Sequence, residues 1–390
     1  MELKEKLMTQ FTNIFKETSD AMQLYFAPGR INLIGEHTDY NGGHVFPCAI
    51  TLGTYAIARP RTDHNLRFYS LNFEEQGIIE TTLSDLTYTP AHNWANYPKG
   101  VLWTFMQEGY SITHGMDILY YGNIPNGAGL SSSASIEVLT AYIARDIFNL
   151  DFDMRNAALM CQDSENHYNG VKCGIMDQFA IAMGKKNYAI YLDTATLEYK
   201  YVPLNLENHT LVIMNTNKQR KLGESKYNER RAECETALKT LQTVTDIQSL
   251  GELSLSDFNR YSSVLKDDIL IKRARHAVSE NVRTAEAVTV LEHNDLIKFG
   301  ELMTASHVSL RDDYKVTGME LDTLVSTALK QPGVLGARMT GAGFGGCAIA
   351  LVKADCIDDF IANTGREYLE TIGYSADFYI ADIGNGPCKL

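Results

Sequence analysis

Thirteen of the 29 glycines in this 390-residue chain fall in three short windows, residues 29–43, 122–129 and 333–346, under a tenth of its length. Glycine adopts positive φ freely and lets a backbone approach another chain segment, or an anion, closely. Any fold adopted by this chain must therefore provide three tight loops, and the polar residues around them point to loops placed near a ligand.

Two domains are expected at this length. With 45% hydrophobic and 21% charged residues the chain can bury a large core, which excludes a disordered or fibrous protein. Its 35 Lys and Arg stand against 48 Asp and Glu, and the net charge of −13 argues against a broad nucleic-acid face. The seven cysteines are odd in number and include no C-x-x-C pair. That pattern disfavours a disulfide framework or structural zinc site and fits a cytoplasmic protein with reduced thiols. The opening MELKEKLMTQFTNIF mixes acids with lysines and spaces Leu3, Leu7, Phe11, Ile14 and Phe15 helically, so an amphipathic helix is expected rather than a signal peptide. No apolar run of 18 residues occurs, so no membrane span is expected. A monomer is compatible with the acidic surface, although the sequence carries no count of subunits.

LYFAPGRINLIGEHTDYNGG reads as a short strand, a Pro-Gly turn and a polar loop. VFPCAI, TYAIARP and LRFYSL follow as separate short strands. Helical spacing covers 94–106, 136–143, 152–168, 225–241, 269–291 and 294–309, with the hairpin-like NYAIYLDTATLEYKYVPL and the strand-like LVIMNT between them. Strands and helices are mixed rather than strictly alternating, so the class is α+β. The boundary is expected in LNLENHT, with an N-terminal domain at 1–205 and a C-terminal domain at 206–390.

In the second window, Asn126-Gly127-Ala128-Gly129-Leu130-Ser131-Ser132-Ser133 leads glycines into serines at a helix start. Unpaired N–H groups and a positive macrodipole there suit a phosphate. This window holds no GxxxxGK[ST] or GxGxxG, so a loop with a serine cap is the competing reading. In the first window, Arg30 to Gly43 carries Glu36, His37, Asp39 and Tyr40. Carboxylates beside His and Arg can pair with vicinal hydroxyls, as a sugar requires. A metal held by Glu36, His37 and Asp39 is disfavoured because the EF-hand spacing is absent. Glu165 and Asp177 flank a Cys173-Gly174 turn, and Asp177 also suits a helix start. In the third window Gly341 and Gly343 would let the backbone close on the phosphate loop.

Together these segments resemble the galactokinase branch of the GHMP small-molecule kinases. GRINLIGEHTDYNGG resembles that branch's signature, NIPNGAGLSSSAS the phosphate loop shared by the superfamily, and MTGAGFGGC its third motif; CGIMDQF, SHVSLRDDY and NWANYPKG also match. The resemblance implies a domain like ribosomal protein S5 domain 2 followed by a ferredoxin-like domain, with the site between them. It implies ATP-dependent phosphorylation of the anomeric hydroxyl of α-D-galactose. By resemblance, Asp177 and Arg30 are the catalytic pair, and Glu36, His37, Thr38, Asp39 and Tyr227 hold the sugar. Gly127, Ala128, Gly129, Leu130, Ser131, Ser132 and Ser133 wrap the phosphates of ATP. Ser133 and Glu165 hold Mg²⁺, and Ser70, Trp94 and Tyr97 lie near the nucleoside. Two alternatives stay open: a sister kinase acting on another sugar such as N-acetylgalactosamine, and a non-catalytic galactose/ATP sensor.

Overall fold

The computed structural model describes residues 2–16, 21–125, 129–218 and 223–390. The first half contains α1 (Glu2–Phe15), β1 (Gln23–Asn32), β2 (His44–Val45), β3 (Pro47–Pro60), β4 (Asn65–Ser70), β5 (Ile79–Thr82), α2 (Asn96–Gln107), β6 (Met116–Gly122), α3 (Ser132–Phe148), α4 (Met154–Asp163), α5 (Met176–Ala182), β7 (Tyr188–Asp193) and β8 (Tyr199–Pro203). The second contains β9 (His209–Asn215), α6 (Gly223–Leu241), α7 (Leu255–Tyr261), α8 (Asp268–Glu292), α9 (Leu296–Ser309), α10 (Met319–Ala328), β10 (Val334–Thr340), β11 (Cys347–Lys353), α11 (Ile357–Ile372), β12 (Asp377–Ile380) and β13 (Cys388–Lys389).

Strand order in the six-stranded sheet is β13-β1-β3-β6-β4-β5, with only β4 and β6 parallel. A four-stranded antiparallel sheet, β10-β11-β9-β12, forms the second half, and β2-β7-β8 form a small third sheet. This mixed arrangement is α+β. Sheet membership changes between β8 and β9. The chain does not divide once, however: its last strand, β13, returns to pair with β1. Gly384 N donates to Ala49 O at 2.9 Å and Leu390 N to Leu24 O at 2.9 Å. The tail thus fills the open edge of the first sheet.

Two local readings are corrected. β1 does not turn at Pro28-Gly29; it runs through them, with a register shift against β3 between Pro28 and Arg30. A bulge accommodates a proline that has no N–H to donate. Gly29 serves a close approach instead, since a Cβ there would lie 2.8 Å from Leu130 O. VFPCAI and TYAIARP are not separate strands, because β3 is continuous over 14 residues.

Ile31, Leu33, Ile34, Phe46 and Ile50 of the first half pack with Leu211, Ile213, Val288, Phe299 and Ile349 of the second in one buried apolar cluster. Each such side chain contributes about 1.5–3 kcal/mol of burial. This seam seats the loop after β1 directly on the second half. Among the described residues no helix is long and apolar enough to cross a membrane.

Candidate active site

A cavity of about 530 Å³ opens where the loop after β1, the start of α5, the start of α6 and the loop after β10 converge. That volume lies in the range of small-molecule sites. At its base Arg30, delivered by β1, forks onto Asp177 in the first turn of α5. Nε reaches Oδ1 and Nη2 reaches Oδ2, each at 2.8 Å. Arg30 Nη1 donates to Gly129 O at 2.8 Å, tying the pair to the phosphate loop. Arg30 is nearly inaccessible while the Asp177 side chain keeps 31% of its surface, so the carboxylate faces the cavity.

Ser131 precedes α3 in a left-handed conformation, φ 62°, and no side chain caps the helix. Its hydroxyl donates to Asp177 Oδ2 instead. The serine cap reading thus fails, and positive φ at a non-glycine residue is the kind of strain found at functional sites. Leu130, buried, and Ser132 and Ser133 complete this turn. Gly127 and Ala128 lie outside the described residues.

The loop after β1 supplies the wall. Asp39 lines the cavity, and its carboxyl is pushed up to about 7 by burial and by the charge on Asp177. Tyr227, on α6, packs its ring 5.7 Å from His37 and 5.4 Å from Tyr40. Burial and nearby Asp39 raise its hydroxyl well above the usual range. Glu36 lines the cavity too, with Oε1 receiving Gly341 N at 2.7 Å. His37 contributes ring surface, for both of its nitrogens are engaged: Nδ1 meets Tyr40 Oη at 2.7 Å and Nε2 meets Ala342 O at 3.2 Å. Burial holds its pKa down to about 3, so the ring is neutral. The Ala342 carbonyl then requires the proton on Nε2. Thr38 does not line the cavity. Its hydroxyl, fully buried, lies 2.8 Å from Gly35 O and 2.7 Å from His44 O, and it shapes the loop.

Ser133 and Glu165 line the side of the cavity nearest α3. Glu165 follows α4 in a wide helical turn, and burial together with Asp177 raises its carboxyl to about 7. Gln178 Nε2 donates to Glu165 at 2.6 Å and to the fully buried Glu137 at 3.2 Å. Among the described residues no three His, Cys, Asp or Glu side chains form a metal-holding cluster.

Beyond Ser133 a second cavity, about 220 Å³, is lined by Ser70, Asn72, Phe73, Trp94, Tyr97 and Ile136, among others. Tyr97 lines both cavities, so they adjoin. The third glycine loop meets the first half as expected at Gly341, φ 83°, where a Cβ would lie 2.8 Å from Gly129 O. Gly343 is different: it closes on Val316 O, not on the phosphate loop.

Comparison with known proteins agrees with this geometry. The galactokinase galactose-binding signature matches residues 9–60, the GHMP kinase N-terminal domain 96–185 and the GHMP kinase C-terminal domain 287–364. Galactokinase of Clostridium beijerinckii is 57% identical over the whole of both chains, and that of Ligilactobacillus salivarius 58% identical over 98% of each. The chain belongs to the galactokinase family. It is an ATP-dependent sugar kinase. A crystal structure of Lactococcus lactis galactokinase complexed with galactose is 52% identical and superposes with a TM-score of 0.98 over the whole of both chains. Methanococcus jannaschii mevalonate kinase shares the fold alone, with a TM-score of 0.67 at 19% identity over 94% of this chain.

This galactokinase-family cavity also holds residues to which sequence reading gave no role: Val171, Cys173, Met176, Ser225 and Asn228. The loop leading into α5 and the starts of α5 and α6 bring them there. Gly174 was legible as a turn, but its role is spatial. A Cβ on it would lie 1.9 Å from Asp39 Oδ2. Gln178 had one available signal, a polar residue on the buried face of a short helix.

Proposed function

We propose that the protein transfers the γ-phosphoryl group of ATP to the anomeric hydroxyl of α-D-galactose, giving galactose 1-phosphate. One observation carries this reading: the Arg30–Asp177 fork faces a cavity walled by Glu36, Asp39 and Tyr227 and floored by the uncapped start of α3. The full-length likeness to galactokinases supports it. Galactose sits against Glu36, His37, Asp39 and Tyr227, with Thr38 shaping their loop. The nucleoside sits in the second cavity beside Ser70, Trp94 and Tyr97. Trp94 Nε1 is buried without a hydrogen-bond partner among the described residues, a donor that a base could satisfy. The phosphates lie along 127–133. The cytoplasm, which supplies ATP, is the proposed location.

The donor set fits Mg²⁺. Ser133 and Glu165 offer hard oxygens, and the pKa of Glu165 is raised by burial first and by the charge on Asp177 second, both of which a cation would offset. Mg²⁺ takes one or two protein carboxylates and completes its shell with phosphate and water. Ser133 and Glu165 would hold the ion, which would supply neutralisation of the phosphate charge of ATP.

The chain's own residues do the rest. A carboxylate has about four lone-pair sites. Arg30 fills two on Asp177 and Ser131 a third. One remains to accept the sugar hydroxyl and orient it. Transfer through a loose transition state needs little prior proton removal, so Asp177 takes the proton late. Arg30 makes three hydrogen bonds to Asp177 and Gly129, leaving two of its five N–H donors for the transferred group. Phosphoryl transfer from ATP should be measured with galactose, glucose and N-acetylgalactosamine. Preference for galactose is expected; preference for N-acetylgalactosamine would favour the sister kinase, and binding without turnover the sensor.

A further inference from the structure

Glu36 sits in the loop after β1, where Arg30 and Asn32 lie near its carboxyl, yet most of the contacts on its polar groups come from the second half of the chain. Its backbone N–H points to Glu280 Oε1 at 3.4 Å, and Gly35 N donates to the same oxygen at 3.0 Å. Its carbonyl lies 3.1 Å from His276 Nε2. Its Oε1 faces Gly341 N at 2.7 Å and Arg338 Nη1 at 3.4 Å. Glu280 and His276 stand on α8 and Arg338 on β10, and all three are fully buried. None lines the cavity.

The set is largely paired within itself, although Arg338 Nη2 has no hydrogen-bond partner among the described residues. Burial keeps His276 neutral, with a pKa of about 4. Nε2 therefore carries the proton toward Glu36 O, and Nδ1 accepts from Ser309 Oγ at 2.8 Å. Arg283 Nε pairs with Glu280 Oε2 at 2.9 Å. Arg338 also donates to Asn32 O at 2.8 Å and Ser306 Oγ at 3.2 Å, and its Nη2 lies 3.8 Å from Glu280 Oε1. Arg338 and Arg283 thus offset the charges of Glu36 and Glu280, and of the four only Arg283 keeps partial access to water. Removing Arg338 would leave Glu36 and Glu280 facing each other with one excess negative charge, which a buried site tolerates poorly. The carboxylate would move or take up a proton. Either change alters the acceptor offered to the cavity.

We propose that Arg338, with Glu280 and His276, is a positioning set for Glu36, so that galactose affinity is governed by residues of the second half that never touch the sugar. The inference rests on the reading of Glu36 as a sugar ligand. It predicts a split between substrates. Arg338→Met should raise the galactose KM about tenfold or more while the ATP KM stays within about twofold, in keeping with the cost of an ångström-scale misplacement. Arg338→Lys, which keeps the charge without the fork, should fall between Met and the parent. Glu280→Gln, nearly isosteric, carries the same test should Arg338→Met not fold. Both KM values and direct galactose binding by calorimetry are measured for these variants, with Glu36→Gln in parallel. A raised galactose KM in Glu36→Gln with unchanged galactose binding in the Arg338 and Glu280 variants overturns the positioning role alone. Equal rises in both KM values also overturn it, since that marks a general loss of structure. An unaltered galactose KM in Glu36→Gln removes the ligand reading and the inference with it.

Discussion

Gly174→Ala isolates one distance. Gly174 does not need positive φ, so alanine is compatible with its backbone. The added methyl would lie 1.9 Å from Asp39 Oδ2 and 2.3 Å from its Cγ. Ordinary contact between such atoms is about 3.5 Å, so the carboxylate must retreat by roughly 1.5 Å. It cannot do so freely, because Oδ1 accepts Tyr40 N at 3.0 Å. Displacement of about 1 Å in a positioning group costs on the order of 10²-fold, or about 2.8 kcal/mol. Steady-state kinetics varying each substrate should show kcat/KM for galactose reduced about 10²-fold, with the ATP KM within about twofold. In an Asp39→Ala background the same substitution should cost far less, since the carboxylate is gone and only the Cβ at 39, 3.0 Å away, remains in close contact. A kcat/KM for galactose within about threefold of the parent, or an equal loss in the Asp39→Ala background, would refute the reasoning.

Asp177→Asn should still bind ATP and galactose by calorimetry but lose kcat by orders of magnitude; near-normal turnover would remove Asp177 from catalysis. Tyr227→Phe should raise the galactose KM more than the ATP KM, and the reverse pattern would move Tyr227 out of the sugar site. Asp39 carries a pH signature: its folded pKa is raised from 3.8 to about 7, by burial first and Asp177 second. The ligand-free protein therefore loses stability from this group as pH rises from about 4 through 7. Asp39→Asn lacks that loss, so its denaturant midpoint should gain on the parent's across that range and level off above it. A pH-independent difference would contradict the raised pKa.

Much of the site was legible because its chemistry is written in short runs. Arg30 and Glu36 share one short run of sequence, Ser131 and Ser133 another, and Asp177 sits in a helix start with its own signal. The helices of the second half were legible because long periodic segments dominate local choice; the spacing at 269–291 became α8, Asp268–Glu292. Pro28-Gly29 misled because turn chemistry is a local rule, whereas a bulge there is decided by pairing with β3 and by the approach of Leu130. Gly343 misled similarly, its close neighbour being Val316 rather than the phosphate loop.

The sequence by itself determined which loops would line the cavity, since glycine spacing, carboxylates and a helix start are local properties of the chain. Tertiary structure alone decided how those loops face one another. Arg30 meets Asp177 across 147 residues, and Glu36 is held by Arg338 across 302. Those contacts exist because a shared apolar core presses the two halves together, and burial then forces each polar group to find a partner. Such pairings depend on the packed whole, so no local pattern announces them.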